Sequence, residues 1–488
     1  MSGRVVIVGG GVAGATTALV LGALGMKVTL LEREKMPVNG PPFCHLHAGG
    51  NLYREIPDAQ CLTLLRQSIG FARLFPFAID ARPTLFAIPK EDPGSVETMV
   101  RRLETLREAY RKMVEEDPTN GVLGPPDAYF RLFDKSELLA LRERRGGEPL
   151  DEAQRWLLAV SKQLDLERLK FPLALVREYG INLFRVSAGL ALGLKGLAGV
   201  DVCYGALVTG IHRREEGGWQ IVFERDGKRE RIEGAYLVNA AGFRSGLIDD
   251  MAGYRRKRLV EFKAAYVCRW EAPGEQWPEI VFHGERNTPR GMAQFTPYAG
   301  GHFQLHGMTP HITLFREGLA ASTGNSAQPP LPAPFIEKIE RGWPERIVRE
   351  RTRAAIDYVA RFLPAFRSAE TASAPLYGAQ QVPGEDISLR AADVSFEKEG
   401  YVRCEIVKVS SVIDMVEAIQ EDLVKHGLLL EAVPVLEMEN PMAHLPESEI
   451  DQRAERIAVM RGYPARMGEI LVPCQTCLQT AYSTEETA

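Results

Sequence analysis

An excess of charge of either sign is what this 488-residue sequence lacks. Its 59 lysines and arginines meet 64 aspartates and glutamates, a net of −5. That balance gives no electrostatic case for nucleic acid or for an anionic membrane surface as a partner. Cysteine is scarce too. Cys44, Cys61, Cys203, Cys268, Cys404, Cys474 and Cys477 are an odd, sparse set. Such a set is no secreted disulfide framework and points to a reducing, cytoplasmic setting. One uncharged run, Val5 to Met26, is long enough to mimic a membrane span or a leader. Its glycines (Gly9, Gly10, Gly11, Gly14, Gly22 and Gly25) and its change of period argue against both, and no integral membrane segment is expected. With 45% hydrophobic and 25% charged residues the chain is neither disordered nor fibrous. At this length two or three domains are expected, and they can interleave.

What is present starts in that uncharged run. Val5-Val6-Ile7-Val8 reads as a strand buried on both faces, and a glycine turn, Gly9 to Gly14, follows at once. Ala15 to Leu24 then reads as a helix, and Lys27 to Leu31 as a second strand ending at Glu32. Gly9 permits the tight turn, Gly11 a close approach to pyrophosphate, and Gly14 close packing of helix on strand. Val12 and Ala13 place backbone N–H groups at the positive end of the helix. Glu32 can accept hydrogen bonds from a ribose diol, and Arg33 follows it at the same strand end. Strand, turn, helix and acidic terminus together make a dinucleotide fingerprint.

FAD and NAD share that fingerprint, so distant segments must decide between them. Ile232 to Val238 leads into Asn239-Ala240-Ala241-Gly242, a strand ending in small residues that admit a ligand. Together with the N-terminal glycines, this "VNAAG" strand end resembles the D-amino-acid-oxidase-like family of FAD-dependent oxidoreductases. Ala206 to Ile211 resembles that family's strand whose valine backbone, here Val208, holds the flavin nucleotide. Asn39 to Asn51 resembles the loop beneath the isoalloxazine ring, with Ala48-Gly49-Gly50 in the small-residue positions. The resemblance implies FAD as cofactor, bound by Gly9, Gly11, Val12, Ala13, Gly14, Glu32, Arg33, His47, Ala48, Gly49, Val208, Ala241, Gly242 and Lys408. It also implies an α/β fold: a Rossmann-like FAD-binding domain interleaved with an antiparallel-sheet substrate domain. The family's Gly-His-Gly turn is replaced here by Ile406-Val407-Lys408-Val409-Ser410-Ser411. Ser410 or Ser411 can cap the helix Val412 to Leu428. Lys408 either places a positive charge beside the flavin pyrimidine edge or is a surface lysine at a strand end. Neither the Gly-Asp pair of aromatic monooxygenases nor the second glycine fingerprint and Cys-x4-Cys pair of disulfide reductases is present. The substrate itself is therefore expected to reduce the flavin.

Oxidising a C–N or C–O bond requires a carbon held against the flavin, a proton acceptor, and a grip on the rest of the substrate. His47, with His45, is a candidate base or flavin attachment point, or simply a loop hydrogen-bonding group. His306 and Gln304 share a face in the expected hairpin turning at Ala299-Gly300-Gly301. They face either the substrate or an ordinary sheet surface. Arg54, Lys263, Arg269 and Arg290 are candidate carboxylate clamps, and spacing does not choose among them. Cys474-x-x-Cys477 is short of the four ligands a structural zinc needs, so no metal is expected; a redox pair remains open.

The expected organisation is an FAD-binding domain of 1–77, 164–253 and 368–430. A substrate domain of 78–163 and 254–367 and a C-terminal extension of 431–488 complete it. The expected function is oxidation of a small amino acid, amine or 2-hydroxy acid, with oxygen or a quinone as acceptor. Alternatives are a quinone-linked dehydrogenase of the malate:quinone oxidoreductase type, and a flavin-bound RNA-modifying or assembly protein. The acidic balance argues against the RNA part of the latter.

Overall fold

The computed structural model describes residues 3–43, 46, 49, 51, 54–144, 149–274 and 276–482. Two large sheets organise it. The first has six strands in the order Val394–Glu397, Tyr401–Cys404, Tyr236–Asn239, Val5–Val8, Val28–Glu32 and Val200–Tyr204. All its pairs are parallel except the outermost, between Val394–Glu397 and Tyr401–Cys404. Val5, Ile7, Val28, Leu30 and Val238 turn one way, into a core shared with the helices Val12–Ala23, Leu183–Lys195 and Val412–Lys425. Val6, Val8, Leu31 and Leu237 turn the other way, against Val208, Ile221 and Phe223 of a three-stranded antiparallel sheet. Burial on both faces explains why these strands read as unbroken apolar runs.

The second sheet has ten strands and is antiparallel except where Glu279–Phe282 runs parallel to Thr84–Ala87. Its alternation is sharp. Leu85, Leu175, Tyr266, Cys268, Ile280, Phe282, Phe295, Phe303 and Leu305 form one face, sealed by Trp156, Leu157, Ile356 and Val359 from the helices Glu152–Gln163 and Glu345–Val359. The opposite face turns toward the FAD-binding half and carries polar groups: Thr84, Glu261, Lys263, Glu279, Gln294, Thr296 and Gln304, all buried. A sheet face that buries charge instead of leucine is where chemistry is expected.

The hairpin forms where expected, Ala293–Tyr298 pairing with His302–Gly307 across the turn Ala299–Gly301. Domain boundaries shift. Leu173–Val176 lies in the ten-stranded sheet, because Ala174 and Val176 continue the inner face beside Phe86, so the return to the FAD-binding half comes later than 164. Leu376–Pro383 also belongs to this sheet, paired along Arg258–Arg269, which moves the second return later than 368. The C-terminal segment is a strap. Its helix Glu447–Met460 packs on Leu183–Lys195, and Arg185 forms ion pairs with Asp451 and Glu447. The Arg461 guanidinium donates to the carbonyls of Val38, Asn39 and Gly40 at 3.2, 3.2 and 2.6 Å. Cys474 and Cys477 are joined by a disulfide and buried. Among the described residues no group of His, Cys, Asp and Glu is placed to hold a metal ion, and no helix is long and apolar enough to cross a membrane.

Candidate active site

The phosphate turn has the shape its glycines predicted. Gly9 has φ +104°, and a Cβ there would press on the backbone of Ala240 and Ala241, at 2.7 Å from the Ala240 carbonyl carbon. A Cβ at Gly14 would overlap the Gly9 carbonyl oxygen and lie 3.0 Å from Ala240 Cβ. These two glycines are required by the protein's own packing. Gly11 is different: at φ −62° a Cβ would meet nothing within 4 Å. The open space lies at the N-terminus of Val12–Ala23, which has no side-chain cap and no acidic residue in its first turn. Val12 and Ala13 supply the N–H groups there.

Glu32 closes one side. Its carboxylate accepts from Gly10 N–H, and from Glu34 N–H at 2.7 Å. Burial raises its pKa, and those two backbone bonds oppose the rise. Arg33 stays half-exposed beside Glu34 at 2.8 Å. Ala206 N–H donates to Glu32 O at 2.9 Å, docking the strand of buried Val208 against this end. Ala241 and Gly242 begin the turn after Tyr236–Asn239, with Gly242 at φ +59° and open around its Cα. The turn, the open position at Gly11, the acidic strand end and the Ala241-Gly242 corner fit a dinucleotide.

Beyond this corner lies the inner face of the large sheet. Glu261 and Lys263 stand two apart on one strand, with Nζ and Oε2 2.7 Å apart. Arg286 also pairs with Glu261. Burial pulls Lys263 down to about 8, while Glu261 opposes the drop. Lys408 is partly buried and points into the same cluster. Burial drives its pKa well below the ordinary lysine value, and the charges of Arg390 and Lys263 push it further. Lys408 therefore stands in one cluster with Lys263, Glu261, Arg286 and Arg390. Gln380 ties the wall together, accepting from Lys263 at 3.3 Å and donating to Val407 O at 2.6 Å.

His306 stacks on Phe43, ring centroids 4.9 Å apart, with Nδ1 3.3 Å from Ala264 O. Tyr298 OH lies 3.3 Å from both Pro42 O and Gln304 Oε1. The hairpin face that carries His306 and Gln304 thus touches the described part of the Asn39–Asn51 loop. Gly49, at φ +89°, packs under Tyr129 OH and Leu106. Its small size is demanded by that cover. His47 and Ala48 lie outside the described residues, as do Cys44 and His45. Ser411 does not cap its helix; its hydroxyl donates to Gln67 Oε1 at 2.8 Å. Of the four clamp candidates only Lys263 joins the inner wall: Arg54 is engaged with Asp92, and Arg269 and Arg290 are exposed. Sequence reasoning missed Glu261, Arg286 and Arg390. The one local signal was two opposite charges at alternate positions inside the apolar strand Arg258–Arg269.

Comparison with known proteins agrees with this geometry. Residues 4–385 match the FAD dependent oxidoreductase family, DAO. The chain belongs to that family. FAD is accordingly its cofactor, and the chain is an FAD-dependent oxidoreductase. Glycine oxidase from Geobacillus kaustophilus shares the fold at 14% identity and TM-score 0.52, over 87% of this chain and 95% of that one. L-proline dehydrogenase from P. horikoshii does so at 14% identity and TM-score 0.54, over 87% and 94%. L-alpha-glycerophosphate oxidase from Mycoplasma pneumoniae, with FAD bound, matches at 15% identity and TM-score 0.53, over 88% and 95%. Comparison with curated protein sequences finds no match.

Proposed function

We propose that this DAO-family enzyme oxidises a C–N or C–O bond of a small substrate that carries a carboxylate, an amino acid or a 2-hydroxy acid. The observation behind this reading is the largely buried wall in which Lys263, Arg286, Arg390 and Lys408 stand close to one another and to Glu261. Basic side chains gathered at a partly dry surface favour an anionic group beside them. FAD, held by the glycine turn, Glu32 and the Ala241-Gly242 corner, supplies a two-electron acceptor when bound. The protein's part is to hold the substrate. A bound carboxylate favours the charged forms of Lys263 and Lys408, whose pKa values burial lowers, so binding and protonation reinforce each other. Glu261 keeps Lys263 and Arg286 in place. The inner sheet face excludes water around the reacting carbon.

Oxygen or a quinone is the proposed acceptor, and a cytoplasmic location, read from the sparse cysteine set, is part of the same reading. Lys263→Met tests the clamp against matched acids and their methyl esters. The variant is expected to lose binding of the acids by about tenfold to a hundredfold, the range of one charged contact of about 1.5–3 kcal/mol. The esters should be unaffected. Equal loss for acid and ester would contradict the assignment.

A further inference from the structure

One stretch beside the cofactor turn is bent against its own preference. Val38 has φ +60° and is buried. For a β-branched residue that left-handed conformation is a genuine outlier, and it persists only where the surroundings over-determine it. In this bend Val38 N–H donates to Gly10 O at 2.8 Å, inside the phosphate turn. Two side chains hold the segment from elsewhere in the fold. Ser187 Oγ, on the helix Leu183–Lys195, donates to Pro37 O at 2.6 Å. Arg461, at the end of the helix Glu447–Met460, reaches the carbonyls of Val38, Asn39 and Gly40 together. Successive carbonyls of an extended chain point to opposite sides, so one guanidinium, with its five donors, meets three of them only where the chain bends. The guanidinium is itself fixed, lying over the rings of Phe184 and Tyr463 at 5.7 and 6.0 Å. Among the described residues it pairs with no carboxylate, so its hydrogen bonds go to this bend.

We propose that Arg461 is a positioning residue of the FAD site, locking Val38 in its left-handed bend so that Val38 N–H holds the Gly10 carbonyl and, through it, the phosphate turn. Gly10 is held from both sides, its N–H donating to Glu32 and its carbonyl accepting from Val38. The Gly10 carbonyl and the Gly11 N–H share one planar peptide, so a donor on the carbonyl fixes where that N–H points. Gly11 is the position left open for pyrophosphate. Without Arg461, Val38 relaxes toward negative φ in the apoprotein, and FAD must restore the bend as it binds. The cost of that restoration is subtracted from FAD affinity. The C-terminal strap thus has a task at the cofactor site.

A double-mutant cycle on the full-length apoprotein decides it, read as the Kd of FAD from titration of flavin fluorescence. Arg461→Met keeps most of the stem and loses the donors. It is expected to weaken FAD binding by about tenfold to a hundredfold, the span of one strained residue. Glycine adopts φ +60° at no steric cost. In a Val38→Gly background the same Arg461→Met change should therefore weaken FAD by less than about threefold. FAD affinity within about threefold of wild type in folded Arg461→Met overturns the proposal. So does an equal loss in the two backgrounds, which is what a merely structural role for Arg461 gives, since independent sites add. Should Arg461→Met fail to fold, Arg461→Lys takes its place under the same two criteria, because a single ammonium lacks the guanidinium's planar fork of donors. The titration needs no substrate, so it judges Arg461 even if the oxidation reading falls.

Discussion

Replacing Gly11 and Gly14 with alanine should separate folding from cofactor binding. Gly11 sits at φ −62°, ψ −178°, a conformation alanine adopts freely, and its Cβ meets nothing within 4 Å. Gly11→Ala therefore gives up only glycine's advantage as an N-cap, about 0.5–1 kcal/mol. In a protein this large that shifts the apoprotein Tm by less than about 3 °C. The same methyl stands where pyrophosphate must approach the helix N-terminus, and FAD affinity should fall at least about a hundredfold, some 2.7 kcal/mol. Gly14→Ala puts its methyl into the Gly9 carbonyl oxygen and against Ala240. Overpacking of this kind costs about 1–3 kcal/mol or more, so this variant should lose both Tm and flavin. The assays are differential scanning fluorimetry on apoprotein, since bound FAD would itself raise Tm, and titration of flavin fluorescence. A Gly11→Ala protein that binds FAD as tightly as wild type would refute the placement of the cofactor at this turn.

Three further outcomes follow from the same structure. Glu178 is fully buried, and burial, with Glu279 nearby, raises its carboxyl from 4.5 to about 8. The folded state then holds a proton that the unfolded state releases, so stability should fall as pH rises between about 4.5 and 8, by about 5 kcal/mol over the full window; denaturant titrations should show that slope, and Glu178→Gln should flatten it. Because the free wall holds Lys263 at about 8, carboxylate binding draws in a proton above that pH, and the measured Kd of a substrate acid should rise with pH from about 8 upward; a Kd that is flat to pH 10 would count against the clamp. Thiol titration in denaturant without reductant should find two fewer thiols than the seven cysteines, because Cys474 and Cys477 are paired; seven reactive thiols would show the pair to be reduced.

The cofactor site was legible because its signal is local. Gly9, Gly11, Gly14 and Glu32 lie on one strand–turn–helix–strand unit, and each residue type answers a steric or hydrogen-bonding demand inside it. The cluster around Glu261 and Lys263 was not legible for the opposite reason. Glu261 and Lys263, Arg286, Arg390 and Lys408 come from four separate segments that only the tertiary fold brings together. Lys408 looked equally like a surface residue, because nothing beside it in sequence shows that Arg390 and Lys263 face it. The domain boundaries slipped at Leu173–Val176 and Leu376–Pro383 because apolar strands look alike in sequence whichever sheet they join. The Ser411 cap failed because a tertiary partner, Gln67, takes its hydroxyl.

The account stands most directly on whether a small acid reduces the bound flavin. Purified protein should be yellow. Mixed without oxygen with a panel of amino acids, 2-hydroxy acids and the amines that lack their carboxylate, its flavin absorbance should bleach with one or more of the acids and with none of the amines. Colourless protein, or bleaching by the amines as readily as by the acids, would contradict it.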